Sequence, residues 1–275
     1  MPNTKLTKSS LSNHFDYGKK VYIAIALVTW LLADLLFSTT EYRPPNERNV
    51  DIQLVGAYAD TEGLVETAAV ALEAGQAYER KQAEEAGIIG EGDAYDTPLQ
   101  TVSFYSLMYD TANTEDVYGV QKYMVTLAAQ EGDIYIVNRV LLDDLVLQGV
   151  AVPLDPYIDA GILDPGDRDL SRVTFDEPIE NEGETPSGNR HIYALQADSL
   201  YRMLDEDIGY FTLDKYMLIT TFSKNQETSA AVMQSLIDQL TTEKPPHVEA
   251  YEKSLAEIND NPFNVPDEET TPPPE

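Results

Sequence analysis

The chain has 275 residues, a formal charge of −30 and 43% hydrophobic residues, which suits one domain with an anchor and a tail and is apolar enough to build a core. Acidity on this scale repels phosphate and excludes nucleic acid as a partner. With no cysteine, the chain has no disulfide, no thiolate metal site, no cysteine nucleophile and no cysteine to carry a lipid, so packing alone must hold it.

The first element is VYIAIALVTWLLADLLF, Val21 to Phe37. Extended through Thr40 it gives about 30 Å of helix at ~1.5 Å per residue, enough to cross a bilayer. Lys5, Lys8, Lys19 and Lys20 precede it and an acidic flank follows, so the positive-inside rule puts residues 1–20 in the cytoplasm and the rest outside the cell membrane. The residues Phe37-Ser38-Thr39-Thr40-Glu41 match a small-x-small cleavage site poorly, which favours an uncleaved single-pass anchor over residues 21–40 against a signal peptide. Asp34 lies near its outer end, where a carboxylate reaches the interface.

Residues 41–49, polar with two prolines, read as a stalk. Residues 50–242 then read as an α/β domain. Asp51 to Ala59 predicts a strand, and Leu64, Ala68 and Leu72 mark the apolar face of a following helix. A loop from Glu84 to Thr97 leads to a second strand, Leu99 to Tyr109. Val117, Val120, Met124, Leu127 and Ala128 mark one apolar face of a second helix. Asp133 to Val137 is a doubly buried strand and Asn138 to Gln148 a third helix. Val150 to Leu154 is extended, Pro156 to Ile162 a short helix, and Asp164 to Asn189 a loop or excursion. His191 to Leu195 and Lys215 to Phe222 predict two more strands. Ser223 and Gln226 form a capping-box pattern ahead of a helix carrying Ala230, Met233, Ile237 and Leu240. Residues 243–258 hold one more amphipathic helix, and 259–275 an acidic, proline-rich disordered tail. The fold class expected is α/β, a mostly parallel open sheet with helices on both faces, preceded by one transmembrane helix.

Three stretches carry a family resemblance: DIQLVGAYAD (Asp51 to Asp60), GDIYIVNRVLLDDLVLQGVAVPLDPYIDAGIL (Gly132 to Leu163) and YMLITTFSKNQETSAAVMQSLIDQL (Tyr216 to Leu240). Together they resemble bacterial extracellular solute-binding proteins of the sugar ABC-importer type, in short pieces over about Val50 to Leu240. The family closes two lobes on its ligand, whereas only 27 residues separate Leu163 from His191. The resemblance therefore implies a single lobe of a periplasmic-binding-protein-like type II fold, tethered by a helix in place of a lipid.

In open α/β sheets ligands bind outside the carboxyl ends of the strands. That rule nominates Tyr58 and Asp60, Tyr109 and Asp110, Asn138 and Arg139, and Gln196 and Asp198, a set suited to a carbohydrate or peptide. The competing reading makes the carboxylates helix caps and the tyrosines half-buried edge residues. His14, His191 and His247 form no metal pair, and Asp164, Asp167 and Asp169 lack the glycine and terminal glutamate of a calcium loop. No nucleophile elbow, P-loop or dinucleotide fingerprint occurs. The expectation is a non-enzyme without cofactor or metal. A carboxylate enzyme would need a deep cleft holding two carboxylates of unequal pKa. The seventeen tyrosines, against seven phenylalanines and one tryptophan, suit interfaces. The functional expectation is a membrane-anchored extracytoplasmic binding module, for a small solute or an envelope protein; the alternative is a scaffolding or assembly protein of a cell-envelope complex with no small ligand.

Overall fold

The computed structural model describes residues 21–36, 46–90, 92–109, 111, 116–177, 188–250 and 253. The chain divides into two units, residues 1–43 and 44–275. In the first, residues 21–36 form a helix (α1), exposed throughout. Among the described residues no helix is long and apolar enough to cross a membrane. Residues 37–40 of the expected anchor, the stalk up to Pro45 and the tail from 259 lie outside the described residues.

The second unit is built on a five-stranded sheet. Its strands are β1 (Asn49–Gly56), β2 (Thr101–Met108), β3 (Ile134–Asn138), β6 (Leu195–Gln196) and β7 (Lys215–Ile219), in the order β2-β1-β3-β7-β6. A separate antiparallel ribbon pairs β4 (Thr174–Asp176) with β5 (Arg190–Ile192). The helices are α2 (Val65–Glu85), α3 (Val117–Ala128), α4 (Arg139–Leu147), α5 (Asp155–Asp159) and α6 (Gln226–Leu240). β1 is parallel to both β2 and β3, while β7 runs against β3 and β6. Four strands thus share one direction. β7 is reversed because the segment 197–214 carries only a 3-10 turn, Tyr201–Leu204, so the chain re-enters the sheet from the edge it left.

Alternation along the strands sorts the core into two layers, because successive side chains point to opposite faces. Val50, Ile52, Leu54, Val102, Phe104, Ile134, Ile136, Met217 and Ile219 face α2 and α6. Val55, Leu107, Tyr135, Val137, Tyr216 and Leu218 face α3 and α4. Helices on both faces are therefore present as expected. Gly75 lets α2 close on its neighbours, since a Cβ there would stand 2.5 Å from Leu99 Cδ2 and 3.0 Å from Val232 Cγ2.

Several expectations need correction. The HIYAL stretch is not one strand: Ile192 pairs with Thr174 in the ribbon and Leu195 with Met217 in the sheet, so it is divided between two partners. The excursion from Asp164 holds β4 and a 3-10 turn. The capping box is absent, because Ser223 Oγ pairs with Ser229 Oγ at 2.8 Å and Gln226 Oε1 accepts from the Tyr157 hydroxyl at 3.0 Å. Asn225 is the N-cap of α6 instead. Of the amphipathic helix after Thr241, residues 246–250 are helical, and most of the remainder lies outside the described residues.

The sharpest reversal concerns α3. Its buried residues are Gly119, Tyr123 and Thr126, whereas Val117, Tyr118, Met124 and Val125 are 63%, 76%, 59% and 67% exposed. Of the expected face only Leu127 packs, partly, against the core, and packing otherwise chose the other face for steric reasons. Gly119 has no side chain to hold α3 off β2, for a Cβ there would meet the Met108 carbonyl oxygen at 2.7 Å. Tyr123 then stacks on Tyr109, with centroids 5.1 Å apart.

Candidate functional site

The carboxyl ends of β1, β2, β3 and β6 lie along one edge of the sheet. The structure places there all the nominated residues it describes; Asp110 lies outside the described residues. The side chains of Asp60, Asn138, Arg139 and Asp198 are engaged locally, and Gln196 through its backbone carbonyl. Asp60 Oδ1 accepts from the Glu62 amide at 2.9 Å. Asn138 caps α4, accepting from the Leu141 amide at 3.0 Å and donating to Thr111 Oγ1 at 2.7 Å. Asp198 Oδ1 accepts from the Asp214 amide at 2.7 Å and so holds Asp214 at its positive φ of 56°. Burial raises the Asp198 carboxyl above the ordinary range, opposed by that amide bond. The Gln196 carbonyl accepts from Arg168 Nε at 3.1 Å. Arg139 pairs with Asp143 at 2.9 Å and lies over the Phe175 ring at 4.9 Å. Tyr58 is exposed and Tyr109 half-buried. Capping and packing thus account for most of the nominated set.

The crevice of greatest interest on this edge lies between β1 and β3, where the connections diverge, the switch point at which open sheets take ligands. Here it is filled from within. Tyr210 is fully buried, and its hydroxyl proton is shared between the carbonyl oxygens of Val55 on β1, at 2.8 Å, and Ile136 on β3, at 3.1 Å. Lys215 Nζ donates to the same Val55 oxygen at 3.0 Å, and it lies 5.8 Å from the Tyr210 ring centroid. The loop carrying Tyr210 is pinned across the edge by the Asp60 amide, which donates to the Ile208 carbonyl at 2.8 Å. A bidentate ion pair from Arg202 to Asp207, at 2.8 and 2.7 Å, steadies the same loop.

At the opposite end of the sheet a cleft of about 300 Å³ opens, lined by Asp51, Gln53, Tyr105, Phe222 and the turn Ala129 to Asp133. The strand-end rule pointed away from it, and the alternation rule could have found it. On the face that carries Val55, Leu107 and Val137, the row turns polar toward the strand starts, reading Asp51 and Gln53 on β1 and Asp133 before β3. The turn after α3 forms one wall, with Gln130 and Gly132 at φ of 55° and 95°.

Two carboxylates meet in this cleft. Asp133 Oδ2 accepts from the Asp51 amide at 2.8 Å. The Asp51 carboxyl is pushed up to about 6, first by burial and then by the negative charges of Asp133 and Glu131. Burial also raises Asp133, opposed by the Asp51 amide and by Ser223. Both move in the same direction, whereas an acid and base pair is recognised by pKa values driven apart. Among the described residues no group of three His, Cys, Asp or Glu side chains converges to hold a metal ion.

The raised Asp51 has a consequence for stability. Between its unfolded value near 3.8 and its folded value near 6 the native state binds the extra proton, so this group's contribution falls as pH rises through that window and levels off above it. Asp51→Asn is expected to gain about 1–2 kcal/mol at neutral pH, discounted for partial exposure, and to remove that part of the slope. Urea unfolding of both proteins from acid to neutral pH measures the difference. Equal slopes in the two would contradict the assignment.

No family model matches the chain, and no curated protein matches it.

Proposed function

We propose that this chain is a membrane-tethered, extracytoplasmic binding module whose partner is a protein of the cell envelope. The observation that carries the reading is the outward apolar face of α3. Val117, Tyr118, Val120, Met124 and Val125 are all exposed and span roughly 160° of the helix at ~100° per residue. Exposed apolar side chains clustered on one helix face, around a single polar residue, Gln121, mark an interaction site on a strongly acidic chain. The matching partner surface is apolar at its centre and basic at its rim, since the chain carries −30.

The filled crevice under Tyr210 supports a protein partner over a sugar or peptide held at the switch point. Descent from one lobe of the solute-binding type belongs to the same proposal, supported by β7 and α6 joining the sheet that β1 to β3 begin. So does the tether over residues 21–40, supported by helix α1 and the lysines before it. Protease added outside intact cells tests the topology: it should digest the domain, and full protection would refute it.

The docking face is tested by replacing Tyr118 and Met124 together with lysine in the full chain. Both side chains are exposed, so unfolding stability should change by less than about 0.5 kcal/mol, while co-purification of the partner is lost. Tyr123→Ala, on the buried face of the same helix, should instead cost about 3–5 kcal/mol. Partner capture undiminished by the two lysines would remove α3 from the interface.

A further inference from the structure

The cleft at the strand starts has the features of a built ligand site. Its acidic residues alone would be a solvated cluster, and Gln53 distinguishes it. Gln53 is 6% exposed and lines the cleft. Its carboxamide forms no hydrogen bond with any described residue and opens into the cleft, so its donor and acceptor are available to a ligand there. The frame around it is fixed. The Asp133 amide donates to the Asp51 carbonyl at 2.8 Å, the Tyr135 hydroxyl to the Glu131 carbonyl at 2.7 Å, and Thr220 Oγ1 to the Gly132 carbonyl at 2.7 Å. Gly132 lets the turn close on the sheet, since a Cβ there would stand 2.7 Å from Gln53 Cγ and from Tyr135 Cε2.

The lining selects the ligand class. Asp51, Glu131 and Asp133 supply negative charge, none of the lining residues is basic, and Tyr105 and Phe222 add aromatic rings. No three-carboxylate metal cage forms among the described residues. We propose that this cleft binds a small organic ammonium ion, its charge held by the Asp51 and Asp133 carboxylates, one N–H donated to the Gln53 carbonyl, and its apolar body between the Tyr105 and Phe222 rings. A volume of about 300 Å³ admits a primary amine with a short alkyl chain. The bound cation relieves the repulsion among Asp51, Asp133 and Glu131, which are the titratable groups facing one another there together with the Tyr105 phenol.

Calorimetric titration of n-butylammonium into the full chain in neutral detergent tests the site, with n-butanol, sodium and magnesium chlorides as controls at matched ionic strength. Saturable binding is expected for n-butylammonium alone. It should be about tenfold weaker near pH 5 than near pH 7.5, because Asp51 takes up a proton between them. Asp51→Asn, which keeps the fold, should weaken binding at least about tenfold, and Gln53→Leu by about three- to tenfold. Four results would overturn the proposal: no saturable heat up to about 20 mM amine, well above the millimolar Kd of a weak site; equal binding of magnesium; equal binding of n-butanol; or unchanged affinity in Asp51→Asn. Because the cleft is separate from the outward face of α3, the lysine pair on that helix should leave amine binding intact.

Discussion

Tyr210→Ala is expected to destabilise the domain by about 3–5 kcal/mol, the cost of emptying a fully buried aromatic site. Tyr210→Phe isolates the hydroxyl and should cost about 1–2 kcal/mol, because it leaves the oxygens of Val55 and Ile136 with one donor fewer. Chemical unfolding monitored by tyrosine fluorescence and circular dichroism measures both. The alanine variant also opens the switch-point crevice that Tyr210 now fills. A loss under about 1 kcal/mol in Tyr210→Ala would mean that the loop from 205 to 214 is only a surface cover, and the case against a small ligand on that edge would fall with it.

Gly132→Ala is expected to cost about 2–4 kcal/mol, from two additive causes. The residue sits at φ of 95°, where L side chains are strained, and its Cβ would press on Gln53 and Tyr135, which the sheet holds in place. Gly149→Ala provides the control. Gly149 also has a positive φ, 66°, but nothing lies within 4 Å of its Cβ position, so only the backbone effect of about 1 kcal/mol applies. Equal losses at the two positions would show that the wall of the cleft yields, and the cavity would then not be a fixed site.

Periodicity located β1, β2, β3, α4 and α6 because the apolar residues of those elements supply the ones that bury; α2 was located from Leu64, Ala68 and Leu72, although its buried row is Ala71, Gly75, Glu79 and Ala83. It failed at α3 because hydropathy ranks valine and methionine above glycine and threonine, while the actual contact with β2 requires a small residue at 119. The direction of β7 was not legible in its own residues, since KYMLI reads the same in either orientation; the short connection from β6 decides it. The nominated residues were legible as strand ends from their position after each apolar run, yet their engagement with neighbouring amides depends on turns such as Asp214 at positive φ. The opposite cleft was missed because its carboxylates, Asp51 and Asp133, lie far apart in sequence and meet only through the pairing of β1 with β3.

The central claim is that the apolar face of α3 is covered by another protein when the chain is on its membrane. Photo-cross-linking amino acids placed singly at Tyr118 and Met124, and at the exposed Lys81 on α2 as a control, test it in cells that make the full chain. The predicted result is one dominant adduct with a different protein from positions 118 and 124 and none from position 81. Adducts that are absent, or the same at all three positions, would contradict the claim.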